Sequence, residues 1–73
     1  MNLLIIIPTF NESQNIEPLI RTTFDMTSIS LDPHILVVDD NSPDGTAAIV
    51  EKLIRSQFAD RIFLMVRNRK NGL

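Results

Sequence analysis

Residues 35–46 read Ile-Leu-Val-Val-Asp-Asp-Asn-Ser-Pro-Asp-Gly-Thr, and this stretch decides the fold class. Its apolar run is continuous and rich in branched side chains, which predicts a buried strand over residues 34–39. The polar turn that follows is rich in residues that begin helices. Apolar residues then recur at helical spacing, which predicts a helix over residues 46–57.

The segment before this stretch has the same order of strand, loop and helix. Residues 3–7 form a continuous apolar run that Pro8 ends, which predicts a strand covered on both faces. Apolar side chains at i, i+3, i+4 and i+8, namely Ile16, Leu19, Ile20 and Phe24, form a stripe that predicts a helix over residues 16–26. Either Ser13 or Asn15 is the expected N-terminal cap of this helix.

A third apolar run, at residues 61–66, completes the pattern. Strands that alternate with helices in the order β-α-β-α-β indicate right-handed crossovers and a parallel sheet with helices on its faces. We therefore predict an α/β fold, the start of a Rossmann-like nucleotide-binding domain. Because three strands make only half of such a fold, residues 1–73 are expected to be the N-terminal nucleotide-binding portion of a longer domain.

Composition excludes several classes of protein. The 73 residues include no Cys and one His, which excludes a disulfide framework, a thiolate zinc site and a site with several His ligands. The net charge of −2 argues against a nucleic-acid partner. No apolar run approaches the roughly 20 residues of a membrane-spanning helix, and the first run lacks the basic flank of a secretion signal. Residues 61–73 carry four basic side chains and no acid, which fits either a solvated end or a contact for phosphate.

Two adjacent acids, Asp39 and Asp40, stand at the carboxyl end of the second predicted strand, where open α/β sheets bind ligands. Neighbouring strand residues point to opposite faces, so we expect one carboxylate to face the scaffold and the other the crevice. A crevice carboxylate can accept two hydrogen bonds from N1–H and N2–H of guanine, or one from N3–H of uracil. Helix capping or a solvated loop is the alternative role of this pair.

Pro8, Phe10 and Glu12 follow the first predicted strand and are expected at the same crevice. Pro8 fixes the direction in which the chain leaves the strand. Phe10 can lie against the plane of a base, and Glu12 can accept hydrogen bonds from ribose or base. The alternatives are Phe10 in the core and Glu12 in solvent. Neither glycine-rich phosphate motif, G-x-G-x-x-G or G-x-x-x-x-G-K-[ST], is present.

Three motifs resemble the opening of the family-two glycosyltransferases, and within them the dolichyl- or polyprenyl-phosphate mannosyltransferase branch. The motifs are Ile-Pro-Thr-Phe-Asn-Glu at 7–12, Val-Val-Asp-Asp-Asn-Ser-Pro-Asp-Gly-Thr at 37–46 and Arg-Lys-Asn-Gly-Leu at 69–73. The resemblance covers the whole chain, and the second motif is far more specific than a bare Asp-Asp pair. The family usually has Tyr at the position of Phe10, a change that keeps ring stacking and loses a hydroxyl contact. It commonly has Leu at the position of Asn71.

The resemblance implies a GT-A fold and transfer of mannose, with inversion, from GDP-mannose to the phosphate of a membrane polyprenol such as dolichol. It implies a nucleotide-sugar pocket that includes Pro8, Phe10, Glu12, Val38 and Asp40, with Lys70 as a possible diphosphate contact. It implies no catalytic residue in this segment. A divalent metal, Mg²⁺ or Mn²⁺, is expected on an Asp-x-Asp motif beyond Leu73, as is the acceptor site. We therefore expect the 73-residue chain alone to be inactive, and the full-length enzyme to act at the cytoplasmic face of a membrane.

Three other interpretations fit parts of the sequence. A family-two transferase that uses a UDP-sugar would share the motifs, and so would a truncated, non-catalytic binding module. Residues 35–41 also resemble the first strand of a response-regulator receiver, with its acidic Mg²⁺ pocket. The receiver interpretation requires this strand at the N-terminus and a phosphoacceptor Asp after a later strand, whereas the third predicted strand ends in Val66 and Arg67.

Overall fold

The computed structural model describes residues 2–67, in which three parallel strands alternate with two helices. The strands are β1 (Leu3–Thr9), β2 (Pro33–Asp39) and β3 (Ile62–Val66), and the helices are α1 (Ile16–Met26) and α2 (Thr46–Ser56). A 3-10 turn, Ile29–Leu31, precedes β2. The predicted α/β fold is confirmed, and each element begins and ends within two residues of its predicted bounds.

The sheet has the strand order β1-β2-β3, with both pairs parallel. Thr9 pairs with Asp39, and Asp39 pairs with Val66, so the carboxyl ends of the three strands lie at one edge of the sheet. Because the strands follow one another across the sheet in chain order, two crossovers of the same hand place both helices on one face. This corrects the expectation of helices on both faces.

The core lies between the sheet and the two helices. Its fully buried side chains come from α1, β2, α2 and β3. They are Ile16, Ile20, Ile35, Val37, Val50, Leu53 and Ile62. Full burial of an aliphatic side chain of this size contributes about 1.5–3 kcal/mol to stability. The rings of Phe24 and Phe58 stack beside this cluster with centroids 5.3 Å apart. Leu19 belongs to the predicted stripe of α1 but is 45% exposed.

The opposite face of the sheet is apolar and, within residues 2–67, has no helix over it. Its exposed side chains include Leu4, Ile6, Phe63 and Met65. The expectation that the first strand is covered on both faces is therefore wrong for the described residues: β1 alternates between half-buried and exposed positions before its buried last residue. The continuous apolar run suggested two buried faces, whereas only one of them packs against a helix.

The start of α1 also differs from prediction. Asn15 occupies the N-cap position, but its side chain makes no hydrogen bond to a helical N–H group. It donates instead to Oε1 of Glu12 at 3.3 Å. The backbone oxygen of Glu12 accepts from the N–H groups of Asn15 and Ile16 at 2.9 and 2.8 Å. The first turn is therefore closed by the backbone, and capping by the side chain of Ser13 or Asn15 was a wrong expectation.

Candidate functional site

The two acids at the end of β2 point to opposite sides of the sheet, as predicted. Asp39 is fully buried on the helix side, whereas Asp40 lines a cavity beyond the carboxyl ends of the strands. The backbone N–H of Asp40 donates to the oxygen of Thr9 at 2.9 Å and so continues the β1–β2 pairing by one step. Strand alternation therefore gives the two carboxylates separate environments.

Asp39 joins the end of β1 to the loop that follows β2. Its Oδ1 atom accepts hydrogen bonds from Oγ1 of Thr9 at 2.7 Å and from Oγ of Ser42 at 2.6 Å. Its Oδ2 atom accepts from the backbone N–H of Ser42 at 2.8 Å. Burial raises the pKa of Asp39, but the hydrogen bonds from Ser42 and Thr9 together outweigh burial and hold the pKa below its ordinary value. Asp39 is therefore an ionised structural acceptor.

The loop after β1 (residues 10–15, the first loop) is held by the loop after β2 (residues 40–45, the second loop) and the start of α2. Three consecutive backbone N–H groups of the first loop donate to side-chain oxygens on the other side. The bonds join Asn11 to Oγ of Ser42 at 2.9 Å, Glu12 to Oγ1 of Thr46 at 3.0 Å, and Ser13 to Oδ2 of Asp44 at 3.0 Å. The polar residues of the second motif therefore fix the backbone of the first.

Asp44 has a second role at the start of α2. Its Oδ1 atom accepts from the backbone N–H of Thr46 at 3.1 Å and from the hydroxyl of the same residue. The hydrogen bond from the Thr46 hydroxyl, with further bonds from Ser13 and the Thr46 backbone, lowers the pKa of Asp44 to about 2. Gly45, between them, has φ 90°, a conformation that residues with a Cβ rarely adopt.

The cavity beside Asp40 has a volume of about 260 Å³ and is lined by Pro8, Thr9, Phe10, Val38, Asp40 and Arg67. Four of the predicted pocket residues, Pro8, Phe10, Val38 and Asp40, therefore lie together. Glu12 does not line this cavity, because its Oε1 atom faces Asn15 at the start of α1. Lys70 lies outside the residues that the structure describes.

Thr9 and Arg67 are the two lining residues that the sequence did not predict, and the Thr9 hydroxyl is already bonded to Asp39. Arg67 is placed by strand pairing. Its backbone N–H donates to the oxygen of Asp39 at 2.7 Å, which continues the β2–β3 pairing past Val66. Phe10, Asp40 and Arg67 are thus the first residues after three adjacent strands, and they line the same cavity. An aromatic ring, a carboxylate and a guanidinium follow one another across the sheet edge. The concentration of basic residues near the third strand was the signal that pointed toward this position.

Two larger depressions, of about 450 and 430 Å³, lie elsewhere. One is formed by residues 55–61, at the end of α2 and in the connection to β3. The other is formed by α2, Ala59 and β3. Neither includes a residue of the first two sequence motifs. The smaller cavity is the better candidate because it lies at the carboxyl ends of the strands, where this fold class binds ligands.

The described part of the chain was also considered as a site for the divalent metal that the resemblance implies. Within residues 2–67, no group of three or more His, Cys, Asp or Glu side chains is arranged to hold a metal ion. The carboxylate oxygens of Asp39 and Asp44 already accept hydrogen bonds from Thr9 and from residues of the two loops and the start of α2. Between residues 2 and 67, no helix has the length and apolar character needed to cross a membrane.

Comparison with known proteins shows the family of the chain. The sequence profile described as "Glycosyl transferase family 2" matches residues 4–73. The chain is 46% identical over 70 residues to a protein of Mycolicibacterium smegmatis (strain ATCC 700084 / mc(2)155) called polyprenol monophosphomannose synthase. That match covers 96% of this chain and 25% of the relative, so the chain spans about a quarter of the relative's length. No solved structure matches the chain significantly. The profile match, together with a complete β-α unit before β2, overturns the response-regulator interpretation.

Proposed function

The chain belongs to glycosyl transferase family 2, and we propose that it is the nucleoside-binding part of an enzyme that transfers mannose from GDP-mannose to a polyprenyl (dolichyl) phosphate. One observation carries this proposal: Pro8, Phe10, Val38 and Asp40, which the family resemblance assigns to the donor pocket, surround a single cavity at the carboxyl ends of the strands. The name of the bacterial relative, at 46% identity, supports mannose as the sugar and a polyprenyl phosphate as the acceptor.

The cavity suits a nucleoside by its chemistry. Asp40 offers carboxylate oxygens to the N–H groups of a base edge, and a charge-assisted pair of such bonds favours guanine, which presents two adjacent donors. Phe10 is 51% exposed beside it, with ring surface available to a base. We assign Asp40 and Phe10 to binding and orientation of the donor, not to proton transfer. Glu12, which lies in the first loop and does not line the cavity, is proposed to accept from the ribose.

The proposed reaction requires little proton transfer from the protein. A phosphate acceptor is already ionised near neutral pH, so its attack on the sugar needs no strong general base. The larger demand is stabilisation of the leaving diphosphate, for which Mg²⁺ or Mn²⁺ is suited. We propose that the metal's Asp-x-Asp ligands, the acceptor site and the membrane-facing surface belong to parts of the enzyme beyond Leu73, and that Lys70 approaches the diphosphate. The 73-residue chain alone is accordingly proposed to be inactive.

A nucleotide titration tests the proposal directly. The purified chain is titrated with GDP and UDP in a calorimeter, and we expect GDP to bind more tightly because Asp40 can pair with two donors of guanine. Tighter binding of UDP would replace the GDP-mannose proposal with a UDP-sugar transferase. Binding of neither nucleotide would remove the nucleoside site.

A transfer assay tests the reaction itself. The protein as its source cells produce it is incubated with GDP-mannose, a polyprenyl phosphate and Mg²⁺, and mannosyl lipid is measured by mass spectrometry. Formation of that lipid is the expected result. A native protein that binds GDP and forms no such product would support the alternative of a non-catalytic binding module.

A further inference from the structure

We propose that Arg67 reads the base of the bound nucleotide together with Asp40: Arg67 donates to a keto oxygen of the base while Asp40 accepts from the neighbouring N–H. This inference rests on the proposed function, because it requires a nucleoside in the cavity. It adds a base-selecting residue that neither the motifs nor the resemblance assigned.

The position of Arg67 follows from strand pairing. Asp39 pairs with Val66, and the hydrogen bond from the Arg67 N–H to the Asp39 oxygen carries that pairing one residue further. Arg67 therefore lies beside Asp40, at about the 4.8 Å that separates neighbouring strands. One base edge can span this distance. Both residues line the 260 Å³ cavity, so both side chains have access to the same ligand.

The chemistry of the pair selects between bases. A carboxylate only accepts hydrogen bonds, and a guanidinium only donates them. Guanine presents O6 beside N1–H, and uracil presents O4 beside N3–H, so each offers an acceptor and a donor in adjacent positions. Adenine and cytosine present an unprotonated ring nitrogen in place of that N–H. In the same pose, either base would place its amino group against the Arg67 guanidinium and its unprotonated ring nitrogen against the Asp40 carboxylate, so donor would face donor and acceptor would face acceptor, which is costly in a partly enclosed site.

The geometry favours the base over the diphosphate as the ligand of Arg67. The guanine edge that carries O6, N1–H and N2–H is the side of the ring away from the ribose, and the diphosphate lies beyond the ribose. A nucleotide whose base edge faces Asp40 therefore directs its diphosphate away from that carboxylate. Arg67 is the immediate neighbour of Asp40 across the sheet, so it reaches the base edge.

Titrations with guanosine and GDP separate these two roles. We compare wild-type protein with Arg67→Ala and with Arg67→Gln, which keeps a neutral donor. The control is Arg55→Ala, which removes an exposed guanidinium from α2 away from this cavity. A hydrogen bond to a charged group contributes about 1.5–3 kcal/mol, so Arg67→Ala should weaken both ligands by about ten- to a hundredfold. Arg67→Gln should weaken them less, and Arg55→Ala should leave both affinities unchanged.

Each outcome supports or overturns the inference. Equal weakening of guanosine and GDP, with a smaller preference for GDP over ADP in Arg67→Ala, supports base reading. Weakening of GDP alone assigns Arg67 to the phosphates and overturns it, as does unchanged affinity for both ligands. Wild-type protein that binds neither guanosine nor GDP refutes the proposed function itself. Circular dichroism of every variant confirms that the α/β fold is retained, as expected for a side chain that is exposed.

Discussion

Thr9 and Asp39 are paired residues at the ends of two parallel strands, and the Thr9 hydroxyl donates a 2.7 Å hydrogen bond to the buried Asp39 carboxylate. This bond lies on the helix side of the sheet, whereas Asp40 faces the cavity on the other. The two acids of one motif therefore divide structure and binding between them. Substitutions at the two positions should change different measured quantities.

Asp39→Asn should lower the free energy of unfolding by about 1–3 kcal/mol, because the amide cannot accept all the hydrogen bonds that the buried carboxylate accepts from Thr9 and Ser42. Urea denaturation measures the loss. Asp25→Asn, at an exposed position of α1, is the matched control and should change stability by no more than about 0.5 kcal/mol. Equal effects of the two substitutions would contradict the structural role of Asp39.

Asp40→Ala should raise the dissociation constant of the nucleotide by the equivalent of about 1.5–3 kcal/mol, because a charge-assisted pair with the base is lost. It should cost less folding stability than Asp39→Ala, since Asp40 is only partly buried. Calorimetric titration and urea denaturation of the same samples separate the two effects. Unchanged affinity would remove Asp40 from the nucleoside pocket.

Phe10→Ala should weaken nucleotide binding by about 1–3 kcal/mol, the range measured when an aromatic ring stacked on a base is removed. Phe10→Tyr should retain the affinity or improve it, because the ring is kept and a hydroxyl is added. The unfolding midpoint should change little in either variant, as the ring is 51% exposed in the free protein. A large loss of stability with intact binding would instead place Phe10 in the core.

Acidification should loosen the two loops before the strands separate. The pKa of Asp44 is lowered to about 2 from 3.8, and the pKa of Asp39 is also lowered, so both groups stabilise the fold in their ionised form. Their contribution is complete above pH 3.8 and is lost as the pH falls through the folded-state values. Carboxyl titration by NMR checks that the pKa of each group lies below 3.8. Thr46→Val removes the hydroxyl donor, so the titration of Asp44 should move upward in pH; an unmoved titration would contradict this cause.

Gly45→Ala should destabilise the protein by about 1–2 kcal/mol through backbone strain, because Gly45 has φ 90°. A Cβ at this position would meet nothing within 4 Å, so a steric clash is not the reason. Gly45→Asn should be less damaging than Gly45→Ala, since Asn tolerates the left-handed region better. Thermal unfolding of the two variants measures the difference, and equal losses would argue against strain as the cause.

The sequence predicted the elements well because each has a local signal. The stripe of α1 and the branched apolar run of β2 both appear in consecutive residues, and the structure has helix and strand there. The opposed directions of Asp39 and Asp40 were also predictable, since strand alternation is a local property. The chemistry of residues at strand ends likewise predicted three of the cavity residues, Pro8, Phe10 and Asp40, and the family resemblance added Val38.

Relations between distant residues were not predictable in the same way. Thr9 and Ser42 carry no feature that marks them as partners of Asp39, because their pairing depends on the register of β1 with β2. Arg67 joins the cavity only because β3 lies next to β2, and strand order is not encoded in local periodicity. The same missing information explains why helices were expected on both faces of the sheet.

The hydrogen bonds that hold the first loop use backbone atoms on one side and side-chain atoms on the other, and this difference affects which residues can be substituted. The first loop contributes backbone N–H groups at Asn11, Glu12 and Ser13, whereas the other side contributes side chains. Almost any residue supplies a backbone amide, so these three hydrogen bonds do not themselves depend on the side chains at positions 11–13. The partners on the other side are side-chain oxygens, so a substitution that removes the oxygen removes the hydrogen bond. These contacts therefore restrict the side chains of Ser42, Asp44 and Thr46 more than those of the loop that they hold.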